Sequence, residues 1–209
     1  MIEGLENGIQ MILAGICAGI AIVKAVTTRN RTWAFLSMFY FTFFLGDLYW
    51  ALHIIFYHKT PEFSFIPYLN WISSYLFLWL IMYYVQDGKK IAQPLKRMWS
   101  IPVFTFAMAI FYMQYGAYLN NTITAVMMCT LMVRAINGLI IEKEEQGSVR
   151  KSYLLNILVL MFCMMEYAMW TVSCFFSGDT LANPYYWFDF GLTVIIGLIL
   201  RAVRKVVEQ

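Results

Sequence analysis

The sequence predicts an all-α fold, a polytopic membrane protein whose seven transmembrane helices form one bundle. Three observations carry that reading. Of 209 residues, 61% are hydrophobic and only 13% charged, whereas a soluble domain carries about 25% charged residues. Seven mostly apolar stretches approach or exceed the roughly 20 residues that a bilayer crossing needs. The basic residues fall almost wholly in alternate connections, as they do in chains threaded through a membrane. The same composition excludes a disordered chain, a nucleic-acid-binding domain, a disulfide scaffold and an ordinary cytosolic enzyme.

The stretches run over about 5–26, 33–57, 67–86, 99–115, 121–141, 153–176 and 185–203, within a single domain spanning 1–209. The first has Glu3 and Glu6 ahead of it and no basic leader, so it reads as a helix that stays rather than a cleaved signal peptide. Its Gly15-Ile16-Cys17-Ala18-Gly19 run reads either as a close-packing face of the small-xxx-small kind or as small residues at a lipid-facing position. All five prolines (Pro61, Pro67, Pro94, Pro102, Pro184) sit in connections or first helical turns, where a missing N–H costs least. The fourth stretch is the shortest. The run from Glu142 to Glu145 reads as a solvated helix end.

Charge sets the expected orientation. Lys24, Arg29 and Arg31 lie in the first connection, and Lys89, Lys90, Lys96 and Arg97 in the third. Lys143, Arg150 and Lys151 lie in the fifth, and Arg201, Arg204 and Lys205 at the C-terminal end. These are 13 of the 15 Lys and Arg residues; Lys59 lies on the other side and Arg134 inside a span. The N-terminus is therefore expected outside and the C-terminus in the cytoplasm. The net charge of +3 is expected at the cytoplasmic lipid surface rather than on nucleic acid.

The second and third stretches resemble the sixth and seventh. Asp47, Trp50, Phe56 and Pro67-Tyr68 recur as Glu166, Trp170, Phe176 and Pro184-Tyr185, at offsets of 117 to 120 residues. With the fourth helix between two triplets, this pattern predicts a parallel 3+1+3 repeat, an arrangement found among transporters.

Ionisable groups inside hydrocarbon are costly and face the bundle interior. Four lie within spans: Asp47, Arg134, Glu166 and Asp189, with His53 as a further polar candidate. Counting helix rise places Asp47, Arg134 and Glu166 near one level, where they are expected to meet. Asp189, His53 and Asn70 share a level nearer the outside. Polar stripes are expected along Asn70, Ser73, Ser74 and Phe77; Thr130, Arg134, Asn137 and Gly138; Cys163, Glu166 and Trp170; and Tyr185, Asp189 and Thr193. Two readings follow. Arg134 forms a buried ion pair with Glu166 or Asp47 that fixes register, or these groups, with Trp50, Trp170, Trp71 and Trp187, line a ligand cavity open to the outside. One arginine cannot neutralise three acids, which favours the second.

No phosphate loop, zinc-ligand cluster or nucleophile elbow is present. The four cysteines sit in spans at irregular spacing and read as packing residues. The seventh stretch has no lysine for a retinal Schiff base. These absences read against an enzyme and against a metal or cofactor, with an intramembrane enzyme using Asp47 and Glu166 as the reading left open.

The runs Gly46-Asp47-Leu48-Tyr49-Trp50 and Ser73-Ser74-Tyr75-Leu76-Phe77-Leu78-Trp79 resemble the multi-helix membrane sensor modules of bacterial signalling proteins. That resemblance implies a sensor acting on a cytoplasmic output, here a separate partner, since the sequence ends shortly after the seventh stretch. The seven-helix layout is also similar to the sugar-efflux family, though the first and fifth stretches lack that family's prolines. The expected function is a ligand-binding or sensory module in a bacterial plasma membrane, acting through a cytoplasmic or membrane protein partner. A small-solute transporter is the alternative. The expected partners are the lipid bilayer, a small molecule and that protein, with no nucleic acid.

Overall fold

The computed structural model describes residues 2–59, 61, 65–86, 98–144 and 152–208, excluding the side chains of 142–144. Among the described residues the chain forms seven α-helices: α1 (Ile2–Thr28), α2 (Arg31–Tyr57), α3 (Phe65–Val85), α4 (Ser100–Met113), α5 (Tyr118–Glu144), α6 (Tyr153–Ser173) and α7 (Pro184–Val207). Lys89, Lys90, Lys96, Arg97, Arg150 and Lys151, on which much of the charge reading rests, lie outside the described residues.

Helix ends follow local chemistry. The Asn30 side chain accepts from the Thr32 amide at 2.8 Å and starts α2, as an N-cap should. Asn183 accepts from the Tyr185 amide at 3.0 Å, with Pro184 opening α7. His58 closes α2 in the left-handed region, φ 54°.

Five helices, α1, α2, α3, α5 and α6, are long and apolar enough to cross a membrane, and the protein is a helical membrane protein. α4 has 14 residues, about 21 Å at the usual rise. α7 is longer but carries Asp189 within it and Arg201, Arg204 and Lys205 at its end. The outward faces are apolar, with Ile12, Ile16, Val23, Phe41, Ile55, Phe106, Val126 and Val194 exposed. In lipid such a surface needs no covering.

The helices α1, α2, α3, α5, α6 and α7 pack in that order into a ring, which α1 closes against α7. α4 stands against α5 outside this ring, and its Tyr112 hydroxyl reaches the Tyr167 carbonyl of α6 at 3.0 Å. The ring is filled at mid-height by fully buried Phe39, Tyr40, Tyr75, Leu78, Phe162 and Ile196. Phe162 meets Phe39 and Tyr75 edge-on, at 6.3 and 5.7 Å between centroids, the geometry that aromatic quadrupoles favour. The buried Tyr40 hydroxyl donates to the Ile196 carbonyl at 2.7 Å.

Toward the C-terminal end of α3, Gln86 donates to the Arg134 carbonyl at 3.1 Å and to Asn156 Oδ1 at 3.2 Å. Asn156 donates to Ser152 Oγ at 3.3 Å. Gly138 makes room for this junction of α3, α5 and α6. At the end of α7, Glu208 accepts from Lys24 and Arg204, each at 2.7 Å. Those two cations hold its carboxyl below the usual carboxylate range.

The small-residue run of α1 divides between its two readings. Ala14, Cys17, Ala18 and Ala21 are buried; a Cβ on Gly15 would lie 3.3 Å from the Phe44 ring, and one on Gly19 would meet nothing within 4 Å. The close face is set by the alanines because they align with the polar residues Gln10 and Asn7 one and two turns earlier. Gly19→Ala is therefore expected to leave stability unchanged or raise it by up to about 1 kcal/mol, through helix propensity alone. Thermal denaturation in detergent checks this, and a clear loss would mean that the Gly19 face is a contact surface.

Candidate functional site

Above the aromatic layer, at the end of the bundle where α1 begins, lies a cavity of about 500 Å³. It is bounded by the first turns of α1, α3 and α7, the last turns of α2 and α6, and the connection from α6 to α7. Phe43, Tyr75 and Leu192 form its deep end.

Each wall has a sequence-level cause. On α1, Glu3, Asn7 and Gln10 recur at helical spacing and all reach the cavity. Gln10 Nε2 donates to Asp189 Oδ1 at 2.8 Å and Thr193 Oγ1 at 3.0 Å, tying α1 to α7. Thr193 in turn donates to the Asp189 carbonyl at 3.0 Å. The Trp50 indole donates to Glu3 Oε1 at 3.0 Å, tying α1 to α2. Asp179, in the connection before α7, accepts from the Glu3 amide at 2.8 Å and the Tyr186 hydroxyl at 3.2 Å.

Glu166 enters from α6. It is 3% exposed and lines the cavity, with the Tyr75 hydroxyl beside it. Asp47 is fully buried one layer behind the wall. The Trp71 indole lies between Asp47 and the cavity, donating to Asp47 Oδ1 at 3.1 Å. The second oxygen, Oδ2, has no hydrogen-bond partner among the described residues. Gly46 permits this contact, because a Cβ there would lie 2.6 Å from Trp71 Nε1. Trp71 is also packed against Trp50 and Tyr68, at 5.8 and 5.7 Å between centroids.

Of the residues singled out from the sequence, the structure brings Glu166, Asp189, Trp50 and Trp170 together at the cavity, with Asp47 behind Trp71. Three others lie elsewhere. The Arg134 guanidinium stands over the Tyr83 and Trp79 rings of α3, at 5.0 and 5.9 Å. Among the described residues no ion pair joins it to Asp47, Glu166 or Asp189. The helix ends explain the difference from the expected common level. α5 starts at Tyr118 and α6 stops at Ser173, so Arg134 lies about 24 Å from the cavity end and Glu166 about 11 Å. The Asn70 amide donates to the Ile66 carbonyl of its own helix at 3.1 Å. His53 packs against Tyr57 and Tyr49 and contacts the Lys59 carbonyl through Nδ1 at 2.9 Å.

Two further corrections concern faces. On α3 the cavity side is Tyr68, Trp71 and Tyr75 rather than Asn70 and Ser73. The serines are satisfied within the helix, Ser73 donating to the Leu69 carbonyl and Ser74 to the Trp71 carbonyl. This frees the aromatic stripe to face inward. Trp187 is 62% exposed and donates to the Leu181 carbonyl at 3.0 Å, away from the cavity. On α5 Thr130 is exposed, whereas Arg134, Asn137 and Gly138 are buried.

The sequence reading passed over Glu3, Asn7, Gln10 and Asp179. The 3, 7, 10 spacing was the available signal. Among the described residues no group of three or more His, Cys, Asp or Glu is placed to hold a metal ion. The arrangement offers carboxylates, indole and phenol groups to a small molecule. No known protein family, curated protein or solved structure matches the chain.

Proposed function

We propose that the protein is a non-enzymatic ligand-binding or sensory module of a bacterial plasma membrane, with seven spans and the cavity opening outward. The observation that carries this reading is the closed floor. The cavity holds Glu166, Asp189 and three tryptophans, yet the layer of Phe39, Tyr40 and Phe162 below it is fully buried and tightly interleaved. A blind site of this size and lining suits recognition of a small molecule. Occupancy is then transmitted through the helices to a protein partner at the cytoplasmic face, where the basic connections lie.

A second reading, a small-solute transporter built on a 3+1+3 repeat, draws support from the packing order. A two-fold axis along the ring would exchange α1, α2 and α3 with α5, α6 and α7, and the contacts α3–α5 and α1–α7 are then equivalent. In this reading the aromatic floor is one gate of an alternating cycle.

One experiment separates them. The purified protein is screened by thermal shift against small solutes, and a stabilising solute is then tested for movement into proteoliposomes holding this protein alone. The sensory reading expects stabilisation that Trp50→Ala abolishes, with no uptake above empty vesicles. Saturable uptake or counterflow would replace it with the transporter. Stabilisation by every active solute that Trp50→Ala and Glu166→Gln leave intact would remove the cavity from either role.

A further inference from the structure

The lining of the cavity has one sign of charge. Glu3, Glu166, Asp179 and Asp189 line it, and no Lys, Arg or His among the described residues does. Their surroundings differ. Asp179, Asp189 and Glu3 each accept a hydrogen bond from the bundle itself. Glu166, 3% exposed, has the Tyr75 hydroxyl as its hydrogen-bonding neighbour and takes part in no ion pair among the described residues. A carboxylate has about four acceptor sites, so Glu166 keeps capacity directed at the cavity. A buried carboxylate without a counter-charge is costly.

The walls beside Glu166 are aromatic. Trp170 is one turn further along α6, and Trp50 and Trp71, in ring contact with each other, line the same cavity from α2 and α3. Indole faces attract cations, and the attraction grows when water is excluded. A hydrated inorganic ion would gain little from three tryptophans. An anion would be repelled by the acids. A neutral apolar molecule would leave Glu166 uncompensated. The shape, the sign and the wall chemistry agree on one class.

We propose that the ligand is an organic cation, an ammonium ion with an aromatic or aliphatic body, whose charge seats at Glu166 between Trp170 and the Trp50–Trp71 pair. This assignment rests on the reading of the cavity as a ligand site and adds the charge and body of what fills it.

The test uses three probes of similar size on the full chain in phosphatidylcholine nanodiscs, followed by tryptophan fluorescence against empty discs. Benzyltrimethylammonium carries the charge, 2,2-dimethylpropylbenzene is its neutral isostere, and benzylphosphonate is the anion. The cation is expected to bind saturably and at least tenfold more tightly than either of the others. Glu166→Gln is expected to weaken the cation at least tenfold and leave the isostere unchanged. Trp170→Leu should weaken the cation several-fold while sparing the acid. If the isostere or the anion binds as tightly as the cation, the organic-cation assignment falls and the ligand site stands. If none binds saturably, both fall. A folded Glu166→Gln protein with undiminished cation binding removes Glu166 as the seat of the charge. Should that variant not fold, cation against isostere on the unaltered protein still decides.

Discussion

Gly46→Ala is expected to destabilise the bundle by about 2–4 kcal/mol, the sum of an overpacked contact and a buried acid that loses its donor. The added Cβ would lie 2.6 Å from Trp71 Nε1 and 2.9 Å from Cδ1. The indole cannot swing aside cheaply, because Trp50 and Tyr68 pack on it. Displacing it would take away the hydrogen bond to Asp47 Oδ1, at a carboxylate whose other oxygen already has no partner among the described residues. The cavity wall would move with it, since Trp71 lines the cavity. Denaturation in detergent reads the stability loss. Tryptophan emission of the folded variant reads the wall. A loss below about 0.5 kcal/mol, the range of neutral surface changes, would mean that the Trp71–Asp47 contact does not hold the helices.

Gly138→Ala should be of similar size, about 2–3 kcal/mol, at the opposite end of the molecule. Its Cβ would fall 2.5 Å from Gln86 Nε2 and 2.6 Å from both amide atoms of Asn156. Those amides are buried, and Gln86 Oε1 already has no partner among the described residues. The glutamine end is flexible, so the clash itself is relieved by rotation. The cost comes instead from the lost bonds to the Arg134 carbonyl and to Asn156, which join three helices. Pairing Gly138→Ala with Gln86→Leu checks this. If the lost junction is the cause, the double variant should be no worse than the sum and is expected to be better, because the apolar side chain leaves no orphaned amide.

The contrast with Gly19, where a Cβ meets nothing within 4 Å, shows what composition and spacing could and could not convey. The seven helices were legible as apolar stretches with the prolines in their connections or first turns, and each lies within a few residues of its expected place. Asp47, Glu166 and Asp189 were legible as acids within those stretches, and burial follows from the cost of exposing them to lipid. Which glycine packs tightly was not legible, because a glycine has no side chain to mark its face. Neighbouring chain decides it, and Trp71 is 25 residues from Gly46. Arg134 was misplaced because counting from assumed helix ends accumulates error at 1.5 Å per residue. Its guanidinium stands over the Tyr83 and Trp79 rings of α3, a contact that spacing alone does not announce. The α1 polar stripe was overlooked because Glu3 and Glu6 were read for what they exclude, a basic leader, and not for the face they occupy.

The joint between α1 and α7 has a consequence in time. Gln10 finds Asp189 and Thr193 about 180 residues later in the chain, Glu3 finds Asp179, and Lys24 finds Glu208. A ribosome adding roughly 5–20 residues per second makes α1 many seconds before its partner exists. Through that interval the polar edge of α1, with Asn7 and Gln10 on it, must stay beside water, the insertion machinery or a chaperone. The cavity is therefore the last part of the molecule to be assembled, and a chain stalled before Asp179 would carry every tryptophan of its wall without the helix that closes it.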